Sequence, residues 1–430
     1  MQFQRRDFVR YLGVFLTAAP FFSYFPAKAK DSVESAYNNF MGLSPEDSAQ
    51  DEDFWAWVQQ SYTVNPNIIN LNNGGVSPQP KVVQDAFDNF NRMCNEGPSY
   101  YMWRILDQGR EMLRKRLANL AGTSIEEVSI CRNTTEALDM VIFGLNLSKG
   151  DEVVLTKQDY PNVINAWKQR EKRDGIIIKW VNLNLPLEND DEIVNQFKNT
   201  FTSKTKAVNI THMINWSGQI LPSRKIADEA HKLGIDVIVD AAHTFAHIDF
   251  RIDDLNCDFL GTSLHKWLCA PFGTGMLYVK KNKIKTIWPL YPNDKPESED
   301  IRKFETLGTR SFPAEHAIGS AINFHNSITT KRKEERLRFL KNYWASKVVK
   351  LDRVKLQTSL KENYSCALAI FSIDGMKPAD IESTLLSKYK IHTTPIDWEN
   401  IKGVRVTPHV YTSTKDLDIL VEAITEMSKS

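Results

Sequence analysis

An aspartate and a lysine follow two apolar segments of the chain. Asp240 ends the segment at residues 235–240, and Lys266 lies 26 residues later, in the polar turn after residues 259–262. Compact apolar runs bounded by turn residues predict buried strands of a parallel sheet, whose carboxyl ends line a binding crevice. Pyridoxal phosphate requires a lysine for a Schiff base and a carboxylate that keeps its pyridine nitrogen protonated. The pair therefore indicates a site for this cofactor.

More polar side chains lie beside this pair. Ser263 and His265 share the turn of Lys266, and His243 follows Asp240 by three residues. Hydroxyl, imidazole and backbone donors of this kind suit a phosphate and a pyridine ring. A surface lysine and a helix-capping aspartate are the alternative when the pair is taken alone. We predict that Lys266 and Asp240 are catalytic and that the other three contact the cofactor.

Two strand-to-helix junctions add further candidates. Residues 132–138 open a predicted helix with Thr134 and Thr135. A helix start exposes free amide groups and the positive end of the helix dipole, which suits a phosphate. Plain capping of that helix is the alternative, and both roles are compatible. Tyr160 follows the strand predicted at residues 153–156, where an aromatic ring can stack on a pyridine.

These motifs, in their order along the chain, resemble those of the class V aminotransferases. This family belongs to the fold-type I pyridoxal-phosphate enzymes, and the resemblance is closest to the isopenicillin N epimerase-like and cysteine desulfurase-like branches. The matching stretches fall within about residues 65–415 and comprise residues 133–138, 159–161, 212–215, 239–243, 263–266, 308–310 and 405–409. The resemblance implies a homodimer with shared active sites, in which Thr309 reaches across to the opposite cofactor phosphate.

The resemblance also implies roles for single residues. It places the phosphate at Thr134 and Thr135. It gives Asn215 a hydrogen bond to the ring hydroxyl, and it places the substrate α-carboxylate near Arg405 and Asn73. A guanidinium matches a carboxylate through two parallel hydrogen bonds. A turn cap for Asn73 and a surface position on an edge strand for Arg405 are the alternatives.

The amino terminus is typical of an export signal. Arg5 and Arg6 precede Phe8, an apolar run follows at residues 11–25, and small residues lie around Ala29. These features resemble a twin-arginine signal. We therefore expect cleavage near Ala29, export of the folded protein by the twin-arginine (Tat) machinery, and a periplasmic location. A disordered segment or a membrane-surface helix is the alternative.

Length and composition indicate a soluble globular protein with more than one core. The chain has 430 residues, of which 42% are hydrophobic and 25% charged. A formal net charge of +1 and the lack of a basic tract give no case for nucleic-acid binding. The five cysteines include no Cys-x-x-Cys pair, so we expect small buried thiols and no metal site.

Alternating strands and helices predict an α/β fold, with a mostly parallel central sheet covered on both faces. The expected parts are the signal at residues 1–29, an N-terminal arm at 30–65, a large cofactor-binding domain at 66–315 and a smaller C-terminal α/β domain at 316–430, to which the arm contributes. A long helix is predicted from about residue 314. Its run of Lys, Arg and Glu is interpreted as a solvated face.

Together, the residues and the resemblance predict an exported enzyme that uses a Lys266 Schiff base and moves a Cα proton. The substrate is expected to be an amino acid, or an amine-bearing peptide or secondary metabolite. Aminotransferase-like or epimerase-like chemistry is favoured, and a thiol-based desulfurase is disfavoured because residues 388–403 contain no cysteine. A carbon–sulfur β-lyase and a non-catalytic binding or maturation protein stay open as alternatives.

Overall fold

The computed structural model describes residues 30–429, so the predicted signal at residues 1–29 lies outside the described residues. The strands, numbered in chain order, are β1 (Ile69–Asn70), β2 (Val128–Cys131), β3 (Glu152–Thr156), β4 (Ile177–Val181), β5 (Thr205–Thr211), β6 (Asp236–Asp240), β7 (Phe259–Ser263), β8 (Gly275–Val279), β9 (Val354–Leu356), β10 (Ala369–Ile373), β11 (Ile391–His392), β12 (Thr394–Trp398) and β13 (Ile401–Val406).

The α-helices are α1 (Lys30–Gly42), α2 (Pro45–Ser48), α3 (Glu52–Gln60), α4 (Lys81–Glu96), α5 (Pro98–Tyr100), α6 (Asp107–Ala121), α7 (Thr134–Gly144), α8 (Pro161–Asp174), α9 (Asp190–Lys198), α10 (Ser223–His231), α11 (Ile252–Leu255), α12 (Phe312–Ile328), α13 (Thr330–Val348), α14 (Pro378–Tyr389) and α15 (Thr414–Lys429). A π-helical segment, Tyr101–Leu106, leads directly into α6. Helices and strands therefore alternate along most of the chain, as the sequence predicts.

A seven-stranded sheet organises the larger part of the molecule. Its order is β2-β8-β7-β6-β5-β3-β4, with β3 to β7 mutually parallel and β8 antiparallel to both of its neighbours. The register sets Thr211 opposite Asp240 and Asp240 opposite Gly261. The predicted mostly parallel α/β sheet is confirmed. Its strand ends bring polar residues from different parts of the chain to one edge.

Both faces of this sheet are covered. The adjacent residues Ile238 and Val239 of β6 are both fully buried but belong to different hydrophobic clusters, one on each side. A strand buried on both faces needs a continuous apolar run rather than an alternating one, which explains the sequence of β6. Gly275 in β8 permits a further close approach, because a Cβ there would lie 2.6 Å from the backbone nitrogen of Asn133.

A second, antiparallel sheet has the order β12-β13-β10-β9. Helices α13, α14 and α15 pack on it through a separate hydrophobic cluster that includes Trp344, Phe371 and Leu420. The short strand β1, just after the N-terminal arm, pairs in parallel with β11, and Asn72 forms a bridge with Thr407. The segment that follows the N-terminal arm is thereby joined to the smaller sheet.

The helix predicted from about residue 314 is two helices. Thr329 separates α12 from α13 and has a φ of 73°, in the left-handed region that a threonine rarely adopts. Its hydroxyl accepts a hydrogen bond from the backbone of Arg332 and so caps the second helix. The break redirects the chain toward the smaller sheet.

The charged run in α13 is buried, so its interpretation as a solvated face is wrong. Arg336 is fully buried and donates to the carbonyl of Ala49 at 2.9 Å, with Glu52 as its ion-pair partner. Buried charges persist only when they are paired or hydrogen-bonded. The other buried cations of this helix find carbonyl, hydroxyl or carboxylate partners in the same way, and they are Lys333, Arg338 and Lys341.

The cysteines are Cys94, Cys131, Cys257, Cys269 and Cys366, and all are buried free thiols, as predicted. Within residues 30–429, no helix has both the length and the apolar character that a membrane crossing requires.

Candidate active site

A cavity of about 600 Å³ opens at the carboxyl ends of the parallel strands. Strands β5, β6 and β7 end there, and β13 of the second sheet closes one side. This is the edge at which an open parallel sheet binds its ligands. The lining includes most of the predicted site residues, namely Thr134, Thr135, Tyr160, Asn215, Asp240, His243, Ser263, His265, Lys266 and Arg405.

Lys266 and Asp240 meet in this cavity from neighbouring strands. Lys266 Nζ lies 3.1 Å from Nε2 of His243, which therefore accepts a hydrogen bond from the amine. One carboxylate oxygen of Asp240 accepts the backbone N–H of Ala242 at 2.9 Å. The predicted acid–lysine pair is thus assembled in one place.

Burial controls the charge of both groups. It lowers the pKa of Lys266 to about 8, with Asp240 opposing this effect and Arg405 adding to it. Burial also raises the pKa of Asp240, against the Ala242 N–H and the Lys266 charge. A lysine with a depressed pKa holds a substantial neutral fraction near physiological pH, which is the form that acts as a nucleophile or base. A cationic group beside Asp240 would favour its carboxylate form.

Donor groups for a phosphate lie at the start of α7. The backbone N–H of Thr134 points to the hydroxyl of Ser263 at 2.9 Å, and the two hydroxyls are 2.7 Å apart. Asn133 caps this helix by accepting the N–H of Glu136. The first turn of an 11-residue helix thus offers amide groups and two hydroxyls to an anion, where the helix dipole favours negative charge.

His265 has a fixed tautomer beside this anion site. Its Nδ1–H donates to the carbonyl of Thr274 at 3.1 Å. Burial lowers the pKa of His265 to about 4, and the neighbouring Lys266 acts in the same direction. The neutral ring therefore presents Nε2 as an acceptor, and it becomes a second donor only if a bound anion draws a proton to it.

A second buried carboxylate lies behind the cavity. Asp159 accepts hydroxyl hydrogen bonds from Thr156 at 2.8 Å and Thr211 at 2.7 Å, and the amide of Asn209 at 3.2 Å. Burial raises its pKa to about 7, and the charge of Asp240 contributes. These hydrogen bonds satisfy the Asp159 carboxylate at the edge of the sheet. One of them holds Thr211, which lines the cavity.

Two aromatic rings belong to the cavity lining. Tyr160 stands at the start of α8 and is 40% exposed. Trp216 also lines the cavity and stacks on Trp398, with ring centroids 5.2 Å apart. The cavity therefore offers aromatic surface to a bound molecule.

Arg405 enters from β13 and is held by two acceptors. Its Nη1 donates to the carbonyl of Asn215 at 2.8 Å, and its Nη2 donates to Oδ1 of Asn72 at 3.0 Å. Burial lowers its pKa to about 10, which keeps it charged at neutral pH. A Cβ on Gly74 would lie 3.0 Å from Cγ2 of Thr407 and 3.5 Å from Cζ of Arg405, so the glycine lets the backbone pass close to both side chains.

Two predicted site residues lie outside the cavity lining. Asn73 is fully buried, and its amide donates to the carbonyl of Thr407 at 2.9 Å and accepts from Tyr411 at 2.6 Å. Thr309 is exposed in the segment between Ile301–Glu305 and α12. Asn73 thus secures the chain behind the cavity, and the predicted phosphate contact of Thr309 requires a second subunit.

The structure also gives contacts to two residues without predicted roles. Arg310 donates from Nε to Glu315 at 2.9 Å and packs over the ring of Phe312. His247 is buried and stacks on Trp267 with ring centroids 3.8 Å apart. Both side chains are therefore engaged within their own chain.

Several lining residues were not predicted. Thr211 ends β5 opposite Asp240 in the sheet register, and Thr394 comes from the second sheet. Asn72 contacts Arg405, whereas the prediction named its neighbour Asn73. Because successive residues of an extended chain point to opposite sides, the choice between adjacent asparagines depended on the facing of one short segment. The strand period alone could not supply that facing.

The cavity passes a chemical test for pyridoxal phosphate. Four of its buried polar atoms have no hydrogen-bond partner within the described chain: Oδ1 of Asn215, Nε1 of Trp216, Nδ1 of His243 and Nε of Arg405. Buried polar atoms without partners are costly unless a ligand satisfies them. An acceptor and three donors that await partners, beside a lysine, an aspartate and a helix start, fit a ring with phosphate, hydroxyl and nitrogen groups.

Comparison with known proteins gives a consistent result. A sequence model described as Aminotransferase class-V matches residues 69–395. The chain is 26% identical to an isopenicillin N epimerase of Amycolatopsis lactamdurans over 394 residues, which cover 87% of this chain and 99% of that protein. It is also 26% identical to a probable cysteine desulfurase of Halalkalibacterium halodurans over 385 residues, which cover 83% and 92% of the two chains.

Solved structures share the fold. The cystine C–S lyase C-DES, in complex with its reaction product cysteine persulfide, superposes with a TM-score of 0.76 at 22% identity, covering 84% of this chain and 98% of that one. The cysteine desulfurase CsdA from Escherichia coli gives a TM-score of 0.77 at 20% identity, with coverage of 87% and 98%.

Proposed function

The chain belongs to the class-V aminotransferase family and is a pyridoxal-phosphate-dependent enzyme, and from this premise we propose that it moves the Cα proton of an amino acid in an aminotransferase-like or epimerase-like reaction. The amino acid can be free or can form the amine-bearing end of a peptide or secondary metabolite. The observation that carries the proposal is that Lys266, Asp240 and Arg405 line one cavity.

Each residue has a defined task in this proposal. When bound, the cofactor supplies a protonated ring that accepts electron density from Cα. Asp240 holds the ring nitrogen in its protonated form. The backbone amides and hydroxyls of the α7 start, with Ser263, would hold the phosphate. Lys266 would hold the cofactor through its amine and, when that amine is free, would remove or return the Cα proton.

Arg405 orients the substrate. Its side chain lines the cavity and its Nε has no partner within the described chain, so a carboxylate in the cavity can pair with it. Fixing the carboxylate decides which bond at Cα aligns for cleavage, and such positioning accounts for a large share of catalytic rate. His243 accepts from Lys266 Nζ at 3.1 Å and so keeps the amine aimed at that point.

The positions of the cysteines distinguish a thiol-based desulfurase from a carbon–sulfur β-lyase. Among residues 30–429, none of the five cysteines lines the cavity, so a mechanism that passes sulfur to a protein thiol finds no acceptor here. A carbon–sulfur β-lyase needs no such thiol, and this observation keeps it as the second candidate. A non-catalytic protein of the same fold would have no use for the assembled lysine, aspartate and arginine.

One experiment distinguishes these reactions. The purified, cofactor-loaded protein is incubated with a pool of amino acids in heavy water, and the products are analysed by mass spectrometry and chiral chromatography. A keto acid identifies transamination, and deuterium at Cα with inverted configuration identifies epimerisation. Pyruvate with ammonia and a thiol identifies β-elimination. If neither these amino acids nor peptides and metabolites with an amine-bearing amino-acid end exchange the Cα proton or are consumed, the proposal is wrong.

Loading of the cofactor should depend on pH through Lys266. Because the pKa of this amine is about 8 rather than the ordinary 10.5, the neutral fraction should rise about tenfold per pH unit up to pH 8 and then level off. The loading rate, followed by visible absorbance after mixing apoprotein with pyridoxal phosphate, is expected to follow this curve. Nα-acetyl-lysine serves as the control, since its side-chain amine also reacts with pyridoxal phosphate but keeps the ordinary lysine pKa. A protein rate that keeps rising through pH 10 would contradict the assignment.

We also propose that the protein is exported and acts as a homodimer. The paired arginines at Arg5 and Arg6 support twin-arginine export to the periplasm, with loss of the segment up to about Ala29. The exposed Thr309, outside its own cavity, supports a site completed by a second subunit. Mass spectrometry of the periplasmic protein and its size in solution test the two proposals separately.

A further inference from the structure

Asn72 stands between two cavities. Its side chain accepts from Nη2 of Arg405 at 3.0 Å, on the side of the active-site cavity. A neighbouring cavity of about 530 Å³ lies on its other side and is lined by Asn72 together with Ile68, Val76, Leu386 and His392, among others. Asn72 is therefore part of the wall behind the guanidinium.

The two ends of the Asn72 amide have different partners. Its Oδ1 accepts from the guanidinium of Arg405, and its Nδ2 lies 3.3 Å from Nε2 of His392, so the amide donates to the ring. An amide rotated by half a turn would place its NH₂ group against the guanidinium, donor against donor. The guanidinium has donors only, so Arg405 selects this orientation, and His392 satisfies the other end of the amide.

The backbone around Asn72 is equally constrained. Its N–H donates to Oδ1 of Asn70 at 3.1 Å, and its carbonyl accepts the N–H of Gly75 at 3.1 Å. It also bridges to Thr407 in the extension of the strand that carries Arg405. The acceptor is thus held by rigid elements, which a guanidinium needs in order to keep one orientation.

We propose that Asn72 is a positioning residue for substrate recognition, which sets the orientation of Arg405 toward a carboxylate while His392 accepts a hydrogen bond from the Asn72 amide. This inference rests on the proposed carboxylate-binding role of Arg405. Only two protein acceptors hold the guanidinium among the described contacts, the Asn215 carbonyl and Asn72. Removing one of them frees the side chain to rotate away from the cavity. The consequence is a loss of preference for substrates that carry a carboxylate.

Two small amines measure this preference without knowledge of the natural substrate. Glycine carries a carboxylate and methylamine does not, and each perturbs the visible absorbance of the loaded enzyme, which gives a half-saturating concentration. In Asn72→Ala, that concentration is expected to rise about tenfold or more for glycine and less than about twofold for methylamine, because a hydrogen bond to a charged group is affected. Asn72→Asp keeps the shape of the side chain but adds a carboxylate that competes with the substrate for Arg405. The half-saturating concentration of glycine should therefore rise further than in Asn72→Ala.

The controls separate this inference from the proposed function. Asn67→Ala removes an exposed asparagine of the same segment and should leave the half-saturating concentrations of both amines unchanged. Arg405→Ala should abolish the preference for glycine; if the preference survives, the carboxylate role of Arg405 fails. If Arg405→Ala removes the preference but Asn72→Ala and Asn72→Asp keep it, Asn72 is not a positioning residue. If the half-saturating concentrations of both amines rise equally in the Asn72 variants, Asn72 has a general structural role, and this result would also overturn the inference.

Discussion

Replacing Lys266 by alanine is expected to abolish the yellow absorbance of the lysine-bound cofactor and to lower turnover by at least about a thousandfold. The lysine is the single amine that lines the cavity beside Asp240 within the described chain. It is needed twice, first to hold the cofactor and then to move the Cα proton. Visible spectroscopy and the rate of the reaction identified in heavy water measure the two losses independently.

The phosphate donors at the start of α7 do not depend on Lys266. The alanine variant should therefore still bind pyridoxal phosphate without a covalent link, which equilibrium dialysis detects. Lys285→Ala is the matched control, since this exposed lysine of the same half of the chain lies outside the cavity lining and pairs with Glu299 at 3.4 Å. Turnover at the wild-type rate in Lys266→Ala would remove the residue from the reaction.

Asp240→Asn is expected to retain the yellow absorbance but to lose turnover by about a hundredfold or more, because a neutral amide cannot hold the ring nitrogen protonated. Asparagine has the same shape and keeps an acceptor for the Ala242 N–H. The effect should therefore reside in the charge rather than in the fold. Absorbance and turnover, measured on the same preparation, separate cofactor binding from electron withdrawal.

Asp240→Asn should lower turnover without lowering the stability of the apoprotein. Burial raises the pKa of Asp240 in the folded state, so the fold penalises its charged form at neutral pH, and asparagine removes that penalty. The thermal midpoint of apo Asp240→Asn is expected to equal or exceed that of the wild type. Asp236→Asn, at the other end of β6, is the control and should leave turnover unchanged. A fall in both turnover and midpoint in Asp240→Asn would mean that Asp240 is structural.

The strand ends account for what could be predicted from the sequence. Residues 235–240 and 259–262 are apolar because both faces of β6 and β7 are covered, and this made the strands visible. Once two strands are known to be parallel and adjacent, the polar residues after them must meet. Asp240, Ser263 and Lys266 were found in this way. The order of the seven strands was not needed for that step.

Other features depend on tertiary contacts that carry no local pattern. The charges of α13 look like a solvated face, yet Arg336 reaches the carbonyl of Ala49 across the chain. The break at Thr329 requires a positive φ at a residue type that seldom adopts one. Asn72 and Asn73 are chemically identical neighbours, and only the three-dimensional path of the arm directs one to Arg405. For Arg336 and Asn72 the partner lies far away in sequence.

A depressed lysine pKa does not identify the reactive residue by itself. Burial lowers the pKa of Lys303, Lys333 and Lys341 to about 8, the same value as for Lys266. Lys333 donates to the carbonyl of Trp267, the residue directly after Lys266, and lies beneath the turn rather than in the cavity. Position relative to Asp240 and the helix start therefore decides the assignment.

The most direct test of the account is to find which lysine carries the cofactor. The protein is loaded with pyridoxal phosphate, the link is fixed with borohydride, and the digest is analysed by mass spectrometry. We predict that the modification lies on Lys266, in the peptide that contains His265 and Trp267. Modification of Lys303, Lys333 or Lys341 instead, or of no lysine, would contradict the assignment on which the proposed function depends.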